Sequence, residues 1–177
     1  MAKLRKFTAY RNIKRPYTRV SKYKKKAFIR MTPNPKVVRF TTGNSNKKFE
    51  YTLVLNSKTE LNIRDNALES ARQVSNRLLE TKIGLTFYKL NLRVYPFHVM
   101  RENALASGAG ADRFSTGMAH SFGTPIGIAA RIKKGQTIFQ VDTDFKNLPL
   151  AREALIRAAT KLPCSCAIEI TKNVALQ

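Results

Sequence analysis

Positive charge is concentrated in the amino-terminal part of this chain. The first 48 of its 177 residues contain 16 Lys or Arg and no Asp or Glu, and the first acidic residue is Glu50. The other 129 residues carry 17 basic and 11 acidic side chains, so this first segment holds +16 of the net charge of +22. A segment with so many like charges repels itself, and it becomes stable beside a polyanion that neutralises it. The sequence therefore predicts a polyanionic partner.

Residues 1–36 are predicted to form an extended basic arm, and residues 37–177 a single folded domain. The arm residues predicted to bind RNA are Lys3, Arg5, Arg11, Lys14, Arg15, Tyr17, Arg19, Lys22, Lys24, Lys25 and Lys26. Aromatic residues are interleaved with these charges, namely Phe7, Tyr10, Tyr17, Tyr23 and Phe28. Such rings stack on unpaired bases while the cations contact phosphates. The alternative for each ring, including Tyr17, is that it docks the arm on the body of its own chain.

Several protein classes are disfavoured by composition. The chain has no apolar run near the roughly 18–20 residues of a membrane span, and no apolar segment follows the basic amino terminus as in a signal peptide. A soluble, cytoplasmic protein is expected. The two cysteines, Cys164 and Cys166, are too close in sequence for an unstrained disulfide. Combined with His98 and His120, they fit no zinc-site spacing, so neither a metal nor a cofactor is expected.

Hydrophobic periodicity predicts an α+β fold with a mixed sheet or sandwich and two helices. The predicted strands cover residues 37–42, 49–55, 86–94, 97–101, 126–132, 137–141 and 164–171, and the predicted helices cover 65–82 and 148–162. Asp65 is the expected N-cap of the first helix, and Gly84 follows its end. The predicted buried stripe of the first helix is Ala67, Ala71, Val74 and Leu78, widened by Leu68 and Leu79. The predicted stripe of the second helix is Ala151, Leu155, Ala158 and Leu162. In the strand over residues 86–94, alternation places Tyr88, Leu90, Leu92 and Val94 on a buried face, and Lys89, Asn91 and Arg93 on an open, basic face. Residues 133–135 connect the strands over 126–132 and 137–141. In the last strand, alternation places Cys164, Cys166, Ile168 and Ile170 on one apolar face.

Residues 102–125 break this pattern with small and flexible residues. The Gly108-x-Gly110 spacing lacks both the third glycine and the Gly-Lys-Ser/Thr of nucleotide-binding loops, so a nucleotide site is not expected. A stretch of this length without regular structure is either disordered or functional. We expect a flexible glycine-rich loop over about residues 101–116.

Four motifs in order make the sequence similar to a known family. They are Arg15-Pro16-Tyr17-Thr18-Arg19, Phe97-His98-Val99-Met100-Arg101, Gly110-Ala111-Asp112-Arg113 with Gly117-Met118, and Phe122-Gly123-x-Pro125-x-Gly127-x-Ala129-Ala130-Arg131. Together they resemble the archaeal and eukaryotic branch of the universal large-subunit ribosomal protein sixteen family, also called protein ten-e, with the arm closest to archaeal members. Members commonly carry Arg and Lys where this chain has Ala119 and Thr124, so phosphate contacts from these two positions are not expected.

The resemblance implies a structural constituent of the large ribosomal subunit with a hammerhead-like β motif. It implies binding of large-subunit rRNA between the central protuberance and the stalk base, with neighbouring ribosomal proteins as further partners. It also implies that the loop helps to position tRNA near the peptidyl-transferase centre. The loop residues expected near tRNA are Arg101, Ser107, Gly108, Gly110 and Asp112. Arg113 and Arg131 are expected either to fix the loop base to RNA or to make a structural bond within the chain.

Two other functions are considered, an RNA-processing enzyme and a general nucleic-acid-compacting protein. Phosphoryl-transfer enzymes need clustered carboxylates or two placed histidines, whereas the acids here are scattered. His98 is interpreted as structural because no partner base or nucleophile accompanies it. A compacting protein would account for the arm but not for the loop. The sequence therefore predicts a protein that is not an enzyme, binds no membrane and forms no homo-oligomer.

Overall fold

Two antiparallel sheets and two helices make up the described part of the chain, which confirms the α+β class. The computed structural model describes residues 6–12, 23, 25, 29, 31–102 and 123–173. The strands are β1 (Thr41–Gly43), β2 (Tyr51–Ser57), β3 (Leu61–Arg64), β4 (Tyr88–Leu92), β5 (His98–Glu102), β6 (Thr124–Ile132), β7 (Thr137–Thr143) and β8 (Cys166–Lys172). The helices are α1 (Asp65–Lys82) and α2 (Leu148–Ala159), and short 3-10 turns cover Phe7–Ala9 and Phe145–Asn147.

The strands form a large sheet in the order β1-β4-β7-β2-β8 and a small sheet in the order β3-β6-β5. Strands β6 and β7 are consecutive in sequence but lie in different sheets, so residues 133–136 carry the chain from one sheet to the other. Strands β2 and β3 are likewise divided between the sheets. As a result, the end of β2 and the starts of β3 and β7 lie near one another, at one end of the large sheet.

One hydrophobic core joins both sheets and both helices. The alternation predicted for the fourth strand is confirmed, because Tyr88, Leu90 and Leu92 are buried while Lys89 and Asn91 are less so. Strands β2 and β7 and the two helices add further buried side chains, namely Leu53, Leu55, Phe139, Val141, Leu68, Leu79, Ala151 and Leu155. The two helices pack against each other over this surface.

The predicted boundaries of α1 are confirmed, but Asp65 is not the N-cap that the sequence predicted. Arg64 occupies the N-cap position, and Asp65 is the first helical residue. The buried Asp65 carboxylate accepts hydrogen bonds from the backbone N–H of Lys36 at 3.1 Å and of Asn66 at 2.8 Å. The carboxylate therefore joins the segment before β1 to the start of the helix. Gly84 ends the helix as predicted, with a φ of +91° that a side chain would disfavour.

The buried stripes are confirmed more fully on α2 than on α1. All four predicted α2 positions are buried, although the helix ends at Ala159 and Leu162 lies in the turn beyond it. On α1 the predicted Leu68, Ala71, Leu78 and Leu79 are buried, whereas the predicted Ala67 and Val74 are only partly buried. Ser75, which was not predicted, is also buried. The contact face of α1 is therefore rotated towards Leu68 because this helix packs against both α2 and the small sheet.

Three strands differ from the sequence-based expectation. The first predicted strand, residues 37–42, is reduced to Thr41–Gly43, although Val37 is still buried in the core. The short strand β3 was not predicted at all. In β8 the apolar face is shorter than predicted, because Ile170 is 51% exposed, whereas Cys166 and Ile168 pack against the core.

Candidate nucleic-acid interface

Tyr10, from the basic segment, is docked on the small sheet. Its ring is only 4% exposed and packs against Met100 and Ala129. Its hydroxyl donates a hydrogen bond to Glu102 Oε2 at 2.9 Å, and the Arg64 guanidinium lies 4.8 Å from the ring centroid. Of the two roles considered for the aromatic residues, the Tyr10 ring therefore has the second, because it packs on the body of its own chain. Tyr10 is therefore an anchor that fixes where the neighbouring cations lie.

Backbone contacts extend this anchor to Arg11. In β3, the Asn62 side-chain amide donates to the Tyr10 carbonyl at 3.1 Å, and the Asn62 backbone N–H donates to the Arg11 carbonyl, also at 3.1 Å. On its other side, Asn62 is in register with Arg131 of β6. The sheet therefore brings Arg11 and Arg131, both predicted RNA-binding residues, to either side of one buried asparagine.

These residues line a groove of about 870 Å³ at the end of the small sheet. We call it the basic groove, and its lining consists of Arg11, Asn12, Glu60, Leu61, Asn62, Phe97, Arg131, Ile132, Lys133 and Gln136. The Phe97 ring is 50% exposed. In the described part of the chain, Arg11, Arg131 and Lys133 form no ion pair. The basic groove thus combines an accessible ring, side-chain amides and three cations against a single acid, which suits a nucleic-acid strand.

A second groove at the opposite end of the large sheet has a different charge. It has a volume of about 620 Å³ and is lined by Glu50, Lys82, Ile83, Phe87, Asp144, Phe145, Lys146 and Asn147. We call it the aromatic groove, because Phe145 is 66% exposed and Phe87 lies beside it. Its two lysines are matched by two acids, and Asp144 is paired with Lys47 at 2.6 Å. The lining carries no net charge, so it attracts a polyanion less than the basic groove does.

His98 lies next to the basic groove but adds no charge to it. It is 2% exposed in β5, and its Nδ1 has no hydrogen-bond partner among the described residues. Burial lowers the pKa of His98 to about 4, and the positive charges of Arg131 and Arg101 act in the same direction. The imidazole is therefore neutral at ordinary pH, and the arginines provide the positive charge at this position.

The outward face of the large sheet is polar rather than basic. Lys89 on β4 is in register with Asp142 on β7, which is in register with Thr52 on β2. The Asp142 carboxylate accepts hydrogen bonds from the Thr52 hydroxyl at 2.8 Å and from the Gln140 amide at 2.9 Å. Although the outward residues of β4 are basic as predicted, the neighbouring strand offsets their charge. This face is therefore a weaker candidate for RNA than the basic groove.

The structure describes only some of the predicted site residues. Arg11, Lys25, Arg101 and Arg131 are described, and Lys25 is exposed. Arg101 lies in β5, in register with Pro125. Thr124, from which no phosphate contact is expected, is exposed at the start of β6. The other predicted site residues lie outside the described residues: Lys3, Arg5, Lys14, Arg15, Tyr17, Arg19, Lys22, Lys24, Lys26, Ser107, Gly108, Gly110, Asp112 and Arg113.

Several groove residues were not predicted as site residues. Phe97 was assigned only to a strand, and Lys133 only to a connection between strands, while Asn62 and Gln136 were given no role. One signal was available, because Lys133 and Lys134 form a basic pair in a short turn that must be exposed. The buried Asn62 left no comparable signal, since its contacts come from a distant segment.

No helix within the described ranges is long and apolar enough to cross a membrane. Those ranges also contain no group of three or more His, Cys, Asp or Glu residues that could hold a metal ion.

Comparison with known proteins identifies the family. Residues 17–169 match the family described as Ribosomal protein L16p/L10e. The chain is 46% identical over 173 residues to the large ribosomal subunit protein uL16 of Methanococcus aeolicus, covering 98% of this chain and 97% of that protein. It is 42% identical over 164 residues to the protein of the same name from Archaeoglobus fulgidus, covering 93% and 91%. Such relatives confirm the predicted structural, non-enzymatic role. The chain belongs to the ribosomal protein L16p/L10e family.

Proposed function

We propose that this protein is a structural constituent of the large ribosomal subunit in the cytoplasm, and that it binds rRNA through the arm and the basic groove together. The names of its relatives support the first part of the proposal. The observation that carries the second part is the row of Arg11, Asn62 and Arg131 across the small sheet, with Lys133 and the exposed Phe97 beside it. The docked Tyr10 makes the groove continuous with the arm.

The groove contributes two kinds of contact to RNA. Arg11, Arg131 and Lys133 neutralise phosphates, and each phosphate contact releases counterions. The Phe97 ring offers a stacking surface for one unpaired base, and such stacking contributes about 1–3 kcal/mol per base. Phosphate contacts position the protein and carry no sequence information themselves, so the groove selects for the shape of the folded rRNA.

Matched variants in the two grooves test this assignment. Lys133→Ala in the basic groove is paired with Lys146→Ala in the aromatic groove, since both remove one exposed lysine. Binding to a large-subunit rRNA fragment is measured over a salt series. We expect Lys133→Ala to reduce the slope of log affinity against log salt by about one unit, as for one phosphate contact, while Lys146→Ala leaves the slope unchanged. Equal slopes for the two variants would contradict the assignment.

A second matched pair tests stacking. Phe97→Ala and Phe145→Ala each remove one exposed ring, from the basic and the aromatic groove respectively. We expect Phe97→Ala to weaken RNA binding by about fivefold or more, because about 1–3 kcal/mol of stacking is lost. Phe145→Ala serves as the control and should bind as the parent does. Stronger loss in the control would place the RNA at the other end of the molecule.

The finer part of the proposal concerns location and tRNA. We propose that the protein lies between the central protuberance and the stalk base, where residues 101–116 help to position tRNA near the peptidyl-transferase centre. The family resemblance supports this placement. The pairing of Glu102 with Thr124 also supports it, because strands β5 and β6 hold the two ends of the intervening segment side by side. The segment is thus presented from a fixed base that includes Arg101.

Deletion of residues 103–110 tests the tRNA proposal separately from rRNA binding. We expect subunits carrying the shortened chain to assemble, because the basic groove and the arm are intact. They should bind tRNA more weakly and translate more slowly. A variant with eight Gly and Ser residues in place of 103–110 controls for loop length. Unchanged translation by the deleted form would show that the segment is inert.

A further inference from the structure

Cys164 and Cys166 form a close pair of thiols that the proposed rRNA binding does not use. Both are free, both are only partly buried, and their sulfur atoms lie 3.6 Å apart. Cys164 lies in a bend after α2, and Cys166 is the first residue of β8, in register with Ser57. The two sulfurs are thus already in contact, and one of them belongs to a segment without regular structure.

The surroundings make the two thiols chemically different. A hydrogen bond from Cys166 lowers the pKa of Cys164 to about 7 against the opposing effect of burial, and Ser57 and the charge of Arg11 act in the same direction as the hydrogen bond. The same hydrogen bond, together with burial, raises the pKa of Cys166. The Cys166 thiol also donates to the carbonyl oxygen of Cys164 at 3.6 Å, so Cys166 holds the proton. Since the thiolate is the nucleophilic form of cysteine, Cys164 is the reactive member.

We propose that Cys164 and Cys166 are a reversible oxidation site, at which a peroxide converts the two thiols into an intramolecular disulfide. In the first step the Cys164 sulfur attacks the peroxide, forming an S–O bond as the O–O bond breaks. A proton joins the departing oxygen, leaving sulfenic acid on Cys164. In the second step the Cys166 sulfur attacks that sulfur, so that the S–S bond forms and the S–O bond breaks. The hydroxyl group of the sulfenic acid leaves and takes up the Cys166 proton, so that water is released. The two sulfurs lose two electrons in total, which reduce the peroxide.

The geometry makes the product accessible and also easily reversed. The sulfurs must approach from 3.6 Å to the roughly 2.05 Å of a disulfide. The bend that contains Cys164 can supply this movement without breaking a strand pair. A disulfide that spans one intervening residue is strained, and strained disulfides are readily reduced. The site is therefore expected to cycle with thiol reductants, unlike a permanent structural disulfide.

Peptide mapping of the full-length protein tests the proposal. Both cysteines fall on one tryptic fragment, residues 162–172. After treatment with hydrogen peroxide and alkylation of remaining thiols, we expect this fragment to carry no alkyl group and to have lost two hydrogen atoms. A thiol reductant should restore both alkylation sites. Two alkylated cysteines after peroxide, or disulfides formed only between chains, would overturn the proposal.

Two serine variants test the assigned order of reaction. With Cys166→Ser the reaction should stop at sulfenic acid on Cys164, which a sulfenic-acid-specific dione traps. With Cys164→Ser, oxidation of the remaining thiol should be slower by about tenfold or more, because burial still raises the pKa of Cys166 and favours its protonated form. Faster oxidation of the Cys164→Ser variant than of the Cys166→Ser variant would contradict the assigned roles. The mapping of the unmodified protein still tests the site if either variant fails to fold.

Discussion

The large and small sheets are both antiparallel, but different contacts stabilise them. The large sheet packs its inner face against two helices, in a core formed by alternate apolar positions of its strands. The small sheet has three strands, and residues of the basic segment pack against them. Tyr10 packs on Met100 and Ala129, while Ile29 packs on Val99 and Ile128. The segment that carries the charge for RNA therefore also completes the smaller sheet.

This difference links stability to function in one region only. A change in the core of the large sheet should lower the stability of the whole domain and leave the RNA surface chemically intact. A change in the small sheet should disturb the groove itself, because Arg11 and Arg131 are positioned by Asn62 and Tyr10.

The largest expected effect is in the core of the large sheet. Phe139 in β7 is fully buried between β2 and β4. We expect Phe139→Ala to lower the free energy of unfolding by about 3–5 kcal/mol, because the substitution removes a large buried ring and leaves a cavity. Urea denaturation measures the loss. Met100→Ala, in the small sheet, is the control. If Phe139→Ala lowered the free energy of unfolding by less than Met100→Ala does, the small sheet would contribute more to stability than the large sheet, contrary to this account.

Acid should weaken the small sheet through His98. Its pKa is about 4 in the folded chain, against about 6.5 when unfolded. Above pH 6.5 the His98 imidazole is neutral in both the folded and the unfolded chain, so it does not make stability depend on pH. Below that pH the unfolded state binds a proton that the folded state refuses, and stability falls by up to about 3 kcal/mol as the pH approaches 4. Unfolding measured from pH 7 to 4 should show this loss, and His98→Gln should remove it. The same slope in His98→Gln would exclude His98 as its source.

The hydroxyl of Tyr10 gives a smaller and more local effect. Tyr10→Phe keeps the ring but removes the hydrogen bond to Glu102. We expect a loss of about 1–2 kcal/mol, since the acceptor is a partly buried carboxylate. Hydrogen exchange should become faster at amides of β3, β5 and β6 and stay unchanged in β2 and β7. Faster exchange throughout the molecule would mean that the two sheets open as one unit.

The smallest effect is expected at an exposed ion pair over the large sheet. Arg157 Nη2 lies 2.6 Å from Glu153 Oε1 on α2, but about half of each side chain is exposed. Solvent screens such pairs, so Glu153→Ala should change the free energy of unfolding by less than about 0.5 kcal/mol. Thermal denaturation checks this. A loss above about 1 kcal/mol would show that charge pairing, in addition to apolar burial, stabilises the large-sheet region.

The difference between the two sheets also explains which features could be predicted from the sequence. The alternation of Tyr88, Leu90 and Leu92 and the stripe of α2 follow directly from burial against one continuous core. Strand β3 was missed because four residues that run straight into a helix contain neither a full alternation nor a turn. The basic groove was predicted only through Arg11 and Arg131. Its other residues come from separate segments that the sheet brings together, and no local pattern records such a contact.

The central claim is that the basic groove, and not the aromatic groove, contacts rRNA. Ultraviolet crosslinking of intact large subunits, followed by tryptic mapping, tests it on unmodified protein. Phe97 lies on the fragment of residues 94–101, and Phe145 lies on the fragment of residues 135–146. We expect nucleotide adducts at Phe97 and none at Phe145. Adducts at Phe145 with none at Phe97 would contradict the account.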